Sequence, residues 1–260
     1  MNRLFQLFAA VTLLAAIVSS ASAADRPVHL RVPPDVSKNL ASMPQIVNPT
    51  DEAELRINAA LRRLDASVRK AALECKAEGG ANSSWERNIN VPMRGPRFLS
   101  FEITDNVFCG GAHPNVSTMA IVYDLATGAP VVWTMLLPPS LTGKAVLAAG
   151  ADGTKMVTLA SRMLHALYLE GYRPMAGDAK IDEADKECRD AVTNWSGDAP
   201  PMMAWLDAKA GGLAVQFDLP HAVQACADAV VIPVATLWQE GAQAVLIDAI
   251  EPAHGKPTTP

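Results

Sequence analysis

The sequence predicts an α+β protein: antiparallel sheet packed against two main amphipathic helices, with two disulfides. Three observations lead there. Two long stretches keep helical apolar spacing, and several short ones alternate with period two. Helices and strands do not alternate as βαβ units, which argues against a parallel sheet. Four cysteines, an even number, follow an apolar leader, the usage of an exported, disulfide-bonded chain.

The leader comes first. Met1-Asn2-Arg3 supplies a positive start, residues 4–18 are apolar apart from Gln6 and Thr12, and small residues end in Ala21-Ser22-Ala23. This is the pattern of a secretory signal peptide over 1–23, cleaved after Ala23. The apolar run is short for a bilayer span, and no later stretch is long enough for one. The expected location is periplasmic or secreted.

Residues 24–48 form a Pro-rich extended lead-in, with an edge strand at 28–32. Asn48-Pro49-Thr50-Asp51 reads as a helix start with Asn48 as cap, and Gly79-Gly80 as its stop. Between them Ile57, Leu61, Leu64, Val68, Ala71 and Cys75 share one face, and Arg62, Arg63, Arg69 and Lys70 form a solvated one. Strands follow around Ile89–Met93, at 98–103 and at 117–124, then a turn at 124–128 and extended chain at 131–133. Met156, Leu159, Ala160, Met163, Leu164 and Leu167 predict the second helix, over 154–169, with His165 on its wet side. A short helix over 182–189, a hairpin of 203–208 with 213–219, and a core strand at 229–233 complete the expectation. The organisation is then an N-terminal α+β subdomain over 49–108, a C-terminal one over 109–250, and a disordered Pro-rich tail over 251–260.

Four cysteines allow three pairings. Cys75–Cys109 with Cys188–Cys226 is the expected one, because each bridge then staples one half of the chain. A zinc site of the same four residues lacks any C-x2-C pair.

Composition narrows the function classes. Half the residues are apolar, 19% are charged, and the net charge is −5. That composition suits a folded globular chain. It does not suit a nucleic-acid binder, whose affinity rests on neutralising phosphates. Neither G-x-S-x-G nor H-E-x-x-H occurs. Ser67-Val68-Arg69-Lys70 matches S-x-x-K, but it falls mid-helix and its companion motifs are out of order. No catalytic residue, metal site or cofactor is assigned.

The most demanding stretch is Cys109-Gly110-Gly111-Ala112-His113-Pro114-Asn115. Two glycines allow positive φ or close backbone approach, and Pro114 holds His113 extended. Gly110, Gly111, His113 and Asn115 are the candidate ligand-binding residues, through exposed amides and a titratable ring. The plain alternative is a turn whose histidine satisfies backbone carbonyls.

Gly110-Gly111-Ala112-His113-Pro114-Asn115, followed by Tyr123-Asp124-Leu125-Ala126-Thr127-Gly128, resembles a bacterial envelope domain of unknown function. Gly212-Leu213-Ala214-Val215-Gln216-Phe217 and Val231-Ile232-Pro233-Val234 are similar to that family's closing strands. The resemblance covers roughly residues 50–240. Such domains form the outer part of lysozyme-sensing anti-sigma factors and accompany a peptidoglycan deacetylase. The resemblance therefore implies an envelope binding module whose partner is peptidoglycan, another glycan or a lysozyme-type protein. The chain departs from the family's pattern at Leu219-Pro220-His221-Ala222-Val223 and Ala225-Cys226-Ala227. Two other readings stand beside it: a small envelope hydrolase using His113, and a purely structural periplasmic protein.

Overall fold

The computed structural model describes residues 28–172, 183–195, 199–217 and 226–254. The signal-peptide expectation over 1–23 lies outside them. The protein is α+β with antiparallel sheets. A two-stranded ribbon pairs β1 (Leu30–Arg31) with β2 (Gln45–Ile46). A three-stranded sheet places β4 (Phe98–Phe108) between β3 (Ser84–Arg94) and β5 (Asn115–Asp124). A five-stranded sheet runs in spatial order from β10 (Val230–Pro233) through β9 (Gly212–Phe217), β8 (Pro201–Asp207) and β7 (Lys155–Ala160) to β6 (Lys144–Ala149). The sheets meet through β8, where the Leu206 amide donates to Ser100 Oγ of β4 at 3.2 Å. One buried apolar cluster includes side chains from both.

The long helix α1 (Glu52–Gly79) forms because its apolar residues keep one face: Ile57, Leu61 and Val68 are fully buried. Its N-cap is Asp51, not Asn48. Asp51 Oδ1 accepts the Glu54 amide at 2.9 Å, and Glu54 Oε2 accepts the Thr50 amide at 2.7 Å. This reciprocal pair outcompetes the Asn48-Pro49 start, and Asn48 instead turns the chain at φ +49°. Gly80, at φ +62°, ends the helix as expected.

Both ends of α1 are pinned to the three-stranded sheet. Near its start, a Cβ on Gly128 would stand 2.4 Å from the Ala53 carbonyl oxygen. At its end, Cys75 is bonded to Cys109, and a Cβ on Gly79 would stand 2.6 Å from the Cys109 carbonyl carbon. Only glycine permits these approaches. A helix of 28 residues spans about 42 Å, and the eleven residues of β4 about 36 Å, so the lengths match.

Both disulfides form as expected, Cys75–Cys109 and Cys188–Cys226, with no free cysteine. The second ties α4 (Glu183–Thr193) to the segment before β10. The short helix expected over 182–189 is therefore present and longer.

The second long helix is not. Residues 155–160 are β7, paired residue for residue with β6, and helix α3 is confined to Arg162–Gly171. Asp152 Oδ1 accepts the Thr154 amide at 2.9 Å and Gly153 takes φ +77°, so the chain reverses into a hairpin. Ser161 then caps α3 by accepting the Leu164 amide. The apolar spacing across 156–167 joins a strand to a helix by coincidence. His165 is half-buried, not on a wet face: its Nε2 lies 3.0 Å from the Val192 carbonyl, and its ring meets Phe217 edge-on.

Of the extended chain expected at 131–133, Val132 is extended and Trp133 opens a 3₁₀ turn over Trp133–Met135. Short helices α2 (Pro139–Thr142) and α5 (Val234–Gln239) and the apolar helix α6 (Ala244–His254) went unread. Helix α6 makes 251–254 helical, a correction to the expected tail; residues 255–260 lie outside the described ones. The boundary drawn at 108/109 falls in the connection between β4 and β5, which pair over ten residues. Among the described residues no helix is long and apolar enough to cross a membrane.

A cationic apolar cavity as candidate functional site

The Gly-Gly-Ala-His-Pro-Asn corner is the connection from β4 to β5. Gly110 takes φ +90°, and a Cβ there would lie 2.9 Å from Gly79 Cα. Its glycine requirement is thus explained by the end of α1. Gly111 faces open space. His113 is exposed, and Asn115 opens β5 opposite Val107. His221 and Asp218, two side chains able to complete an acid–base set with His113, lie outside the described residues.

A cavity of about 580 Å³ lies elsewhere, between α1, β5, the turn at 128–133 and the β6–β7 hairpin. Helical geometry explains its α1 wall. Arg56, Arg63, Ala60 and Ser67 recur at spacings of three, four and seven, so they form one stripe beside the buried one. The alanines on that wall leave the space. The opposite wall carries Ala120 to Tyr123 of β5, with Trp133 and Met156. Leu147 and Val157, directly paired across β6 and β7, form an exposed apolar lip.

The polar groups of this cavity are one-sided. Arg56, Arg63 and Lys155 line it, and among the described residues no carboxylate does. Among the described residues none of these three cations is in a side-chain ion pair or hydrogen bond. Two nearly buried side chains add donors. Tyr123 is 3% exposed and Trp133 6%, and neither the phenol nor the indole N–H has a hydrogen-bond partner among the described residues. Neither polar atom is among the buried unpartnered ones, so both open onto the solvent of the cavity. Burial pushes the Tyr123 phenol up to about 12 against the opposing pull of Arg63, so the hydroxyl keeps its proton. The cavity presents an apolar body and a donor-rich, cationic wall.

On the far flank of α1, Arg62 and Arg69 line a second groove of about 400 Å³. That groove carries its own carboxylate, Asp65, which accepts the Met43 amide at 2.8 Å, and Arg62 donates to Gln45 at 3.4 Å. With Arg31 the groove has three arginines to this one carboxylate.

Ser67 of the S-x-x-K match faces the first cavity, while Lys70 points to solvent and pairs with Glu74 at 3.7 Å. Sequence reasoning grouped Arg63 with the solvated face and missed Arg56, Tyr123, Trp133 and Lys155 as a set. The signal that could have found half of it is the Arg56/Arg63 spacing of seven on a wall of alanines. Lys155 was hidden by the helical reading of 154–169. Among the described residues no cluster of three or more His, Cys, Asp or Glu could hold a metal ion. In comparisons with known proteins, no family model and no curated sequence matches the chain.

Proposed function

We propose that the protein is an exported binding module of the bacterial envelope, and that the α1–β5 cavity is its ligand site. The single observation that carries this reading is a preformed concavity of about 580 Å³, within the usual 300–1,000 Å³ of small-molecule sites. Apolar walls with a few convergent polar groups are the usual makeup of such sites. The envelope location is supported by two disulfides, which persist in oxidising compartments, and by the signal-peptide pattern. Peptidoglycan fragments are the first ligands to try, because their stem peptides are anionic. A lysozyme-type partner is cationic, and the cavity would repel it, so such a partner would have to use the Gly110–Asn115 corner.

The test is a titration of the disulfide-bonded protein with peptidoglycan fragments and with lysozymes, comparing Ala60→Trp with His113→Ala. Ala60→Trp fills the cavity from its α1 wall. Loss of fragment binding in Ala60→Trp, with His113→Ala unaffected, is the expected result. Loss in His113→Ala alone would move the site to the corner. No binding to any envelope material would end the reading.

A further inference from the structure

Resting on the cavity reading, we infer that this site takes an amphiphilic anion: an apolar body carrying one carboxylate or phosphate headgroup. Size and wall chemistry define the body. Leu64, Ile121, Val122, Val131 and Met156 present hydrocarbon, and the exposed Leu147–Val157 pair extends that surface beyond the mouth. Burying such surface is favourable in proportion to its area.

The headgroup follows from what the site lacks inside itself. Arg56, Arg63 and Lys155 bring three positive charges with no lining carboxylate among the described residues, in a chain whose net charge is −5. A local excess of cations against an acidic whole is a built feature rather than an average of composition. Guanidinium groups match carboxylates and phosphates with paired N–H donors. The Tyr123 hydroxyl and Trp133 N–H are further donors on the same lining, bonded to no other described residue and open to an acceptor that enters. A neutral sugar would leave three charges unanswered, and a cation would be repelled. The second groove differs in holding a carboxylate, Asp65, beside its arginines Arg31, Arg62 and Arg69.

The experiment is calorimetric titration of the disulfide-bonded protein with dodecanoate, dodecyl phosphate, dodecanol and dodecyltrimethylammonium, each below its micellar concentration, with acetate as the headgroup alone. The expected result is binding of one or both anions about 10–100-fold tighter than dodecanol, the range of one or two charged hydrogen bonds. The better of dodecanoate and dodecyl phosphate names the headgroup. Arg63→Ala should weaken the anions about tenfold or more and leave dodecanol unchanged. Arg63 is solvent-exposed, so this variant keeps the fold. Dodecanol binding as tightly as the anions, or Arg63→Ala without effect on them, would overturn the inference while leaving the cavity as the ligand site. No probe binding in a manner sensitive to Ala60→Trp would overturn the cavity reading itself.

Discussion

Arg87 and Asp105 stand directly opposite each other in the β3–β4 register and join through two hydrogen bonds, of 2.7 and 2.6 Å, with both side chains almost wholly buried. Trp85 Nε1 donates to the same carboxylate, and Asp152, from the β6–β7 turn, adds a third contact to Arg87 at 3.3 Å. The cluster thus ties the three-stranded sheet to the hairpin that bounds the cavity. Removing Asp105 takes away both short bonds and leaves the buried Arg87 with Asp152 alone, at 3.3 Å. Asp105→Ala should cost about 3–5 kcal/mol in a urea-unfolding experiment. A loss below about 1 kcal/mol would mean that water reaches the site.

The glycines of the corner should separate cleanly. Gly110→Ala forces a side chain onto φ +90° and against Gly79, and should destabilise by about 1–3 kcal/mol. Gly111→Ala meets open space and should stay within about 0.5 kcal/mol of the parent. Thermal denaturation of the two variants side by side checks this. Equal losses would show that Gly111 carries a structural or ligand role of its own.

The bridge at the same place should be worth more than either glycine. Cys75–Cys109 closes 34 residues, for which the chain-entropy model gives ~3–4 kcal/mol. The Cys75→Ala/Cys109→Ala variant should lose about that much and lose protection from hydrogen exchange first at the C-terminal end of α1. Uniform loss along α1 would show that the bridge does not act locally.

Asp65 should make stability depend on pH. Burial raises its carboxyl above the usual value, against the Met43 amide and the charges of Arg87 and Arg69. A raised folded-state pKa means a contribution that is full below the unfolded value of 3.8 and lost as pH rises through the folded one. Asp65→Asn keeps an acceptor for Met43 and removes the buried charge. Its stability relative to the parent should therefore improve as pH rises from 3 to neutrality. A relative decline over that range would mean that the arginines dominate.

Tyr123 offers an alkaline counterpart. Its phenol is raised from 10.0 to about 12, so the associated stability is full below pH 10 and lost through pH 12. Absorbance titration of the parent against Tyr123→Phe should show a phenol ionising well above the ordinary range. Ionisation near 10 would show the ring to be wetter than its 3% exposure implies.

Much of the scaffold was legible from residue spacing. The α1 stripe, the alternation of β4 and β5, and the β8–β9 hairpin are carried by neighbours in sequence, whose periodicity is set by local backbone geometry. The reading failed where one apolar pattern served two elements. Met156 and Leu159 belong to β7 and Leu164 to α3, and the hairpin turn at Asp152 and the cap at Ser161 decide between them. Helix α6 shows the limit of composition: its Pro252 suggested a tail, yet Leu246, Ile247 and Ile250 are buried.

By itself the sequence determined an α+β chain with antiparallel strands and the apolar face and C-terminal stop of α1, and it favoured the pairing of Cys75 with Cys109 and of Cys188 with Cys226 that the structure contains. Only the tertiary structure decided that Arg56 and Arg63 of α1, Tyr123 and Trp133 beyond β4, and Lys155 of β7 line one space. Residues a hundred positions apart leave no periodic trace when they converge, because a cavity is made by how elements pack and not by what any one element repeats.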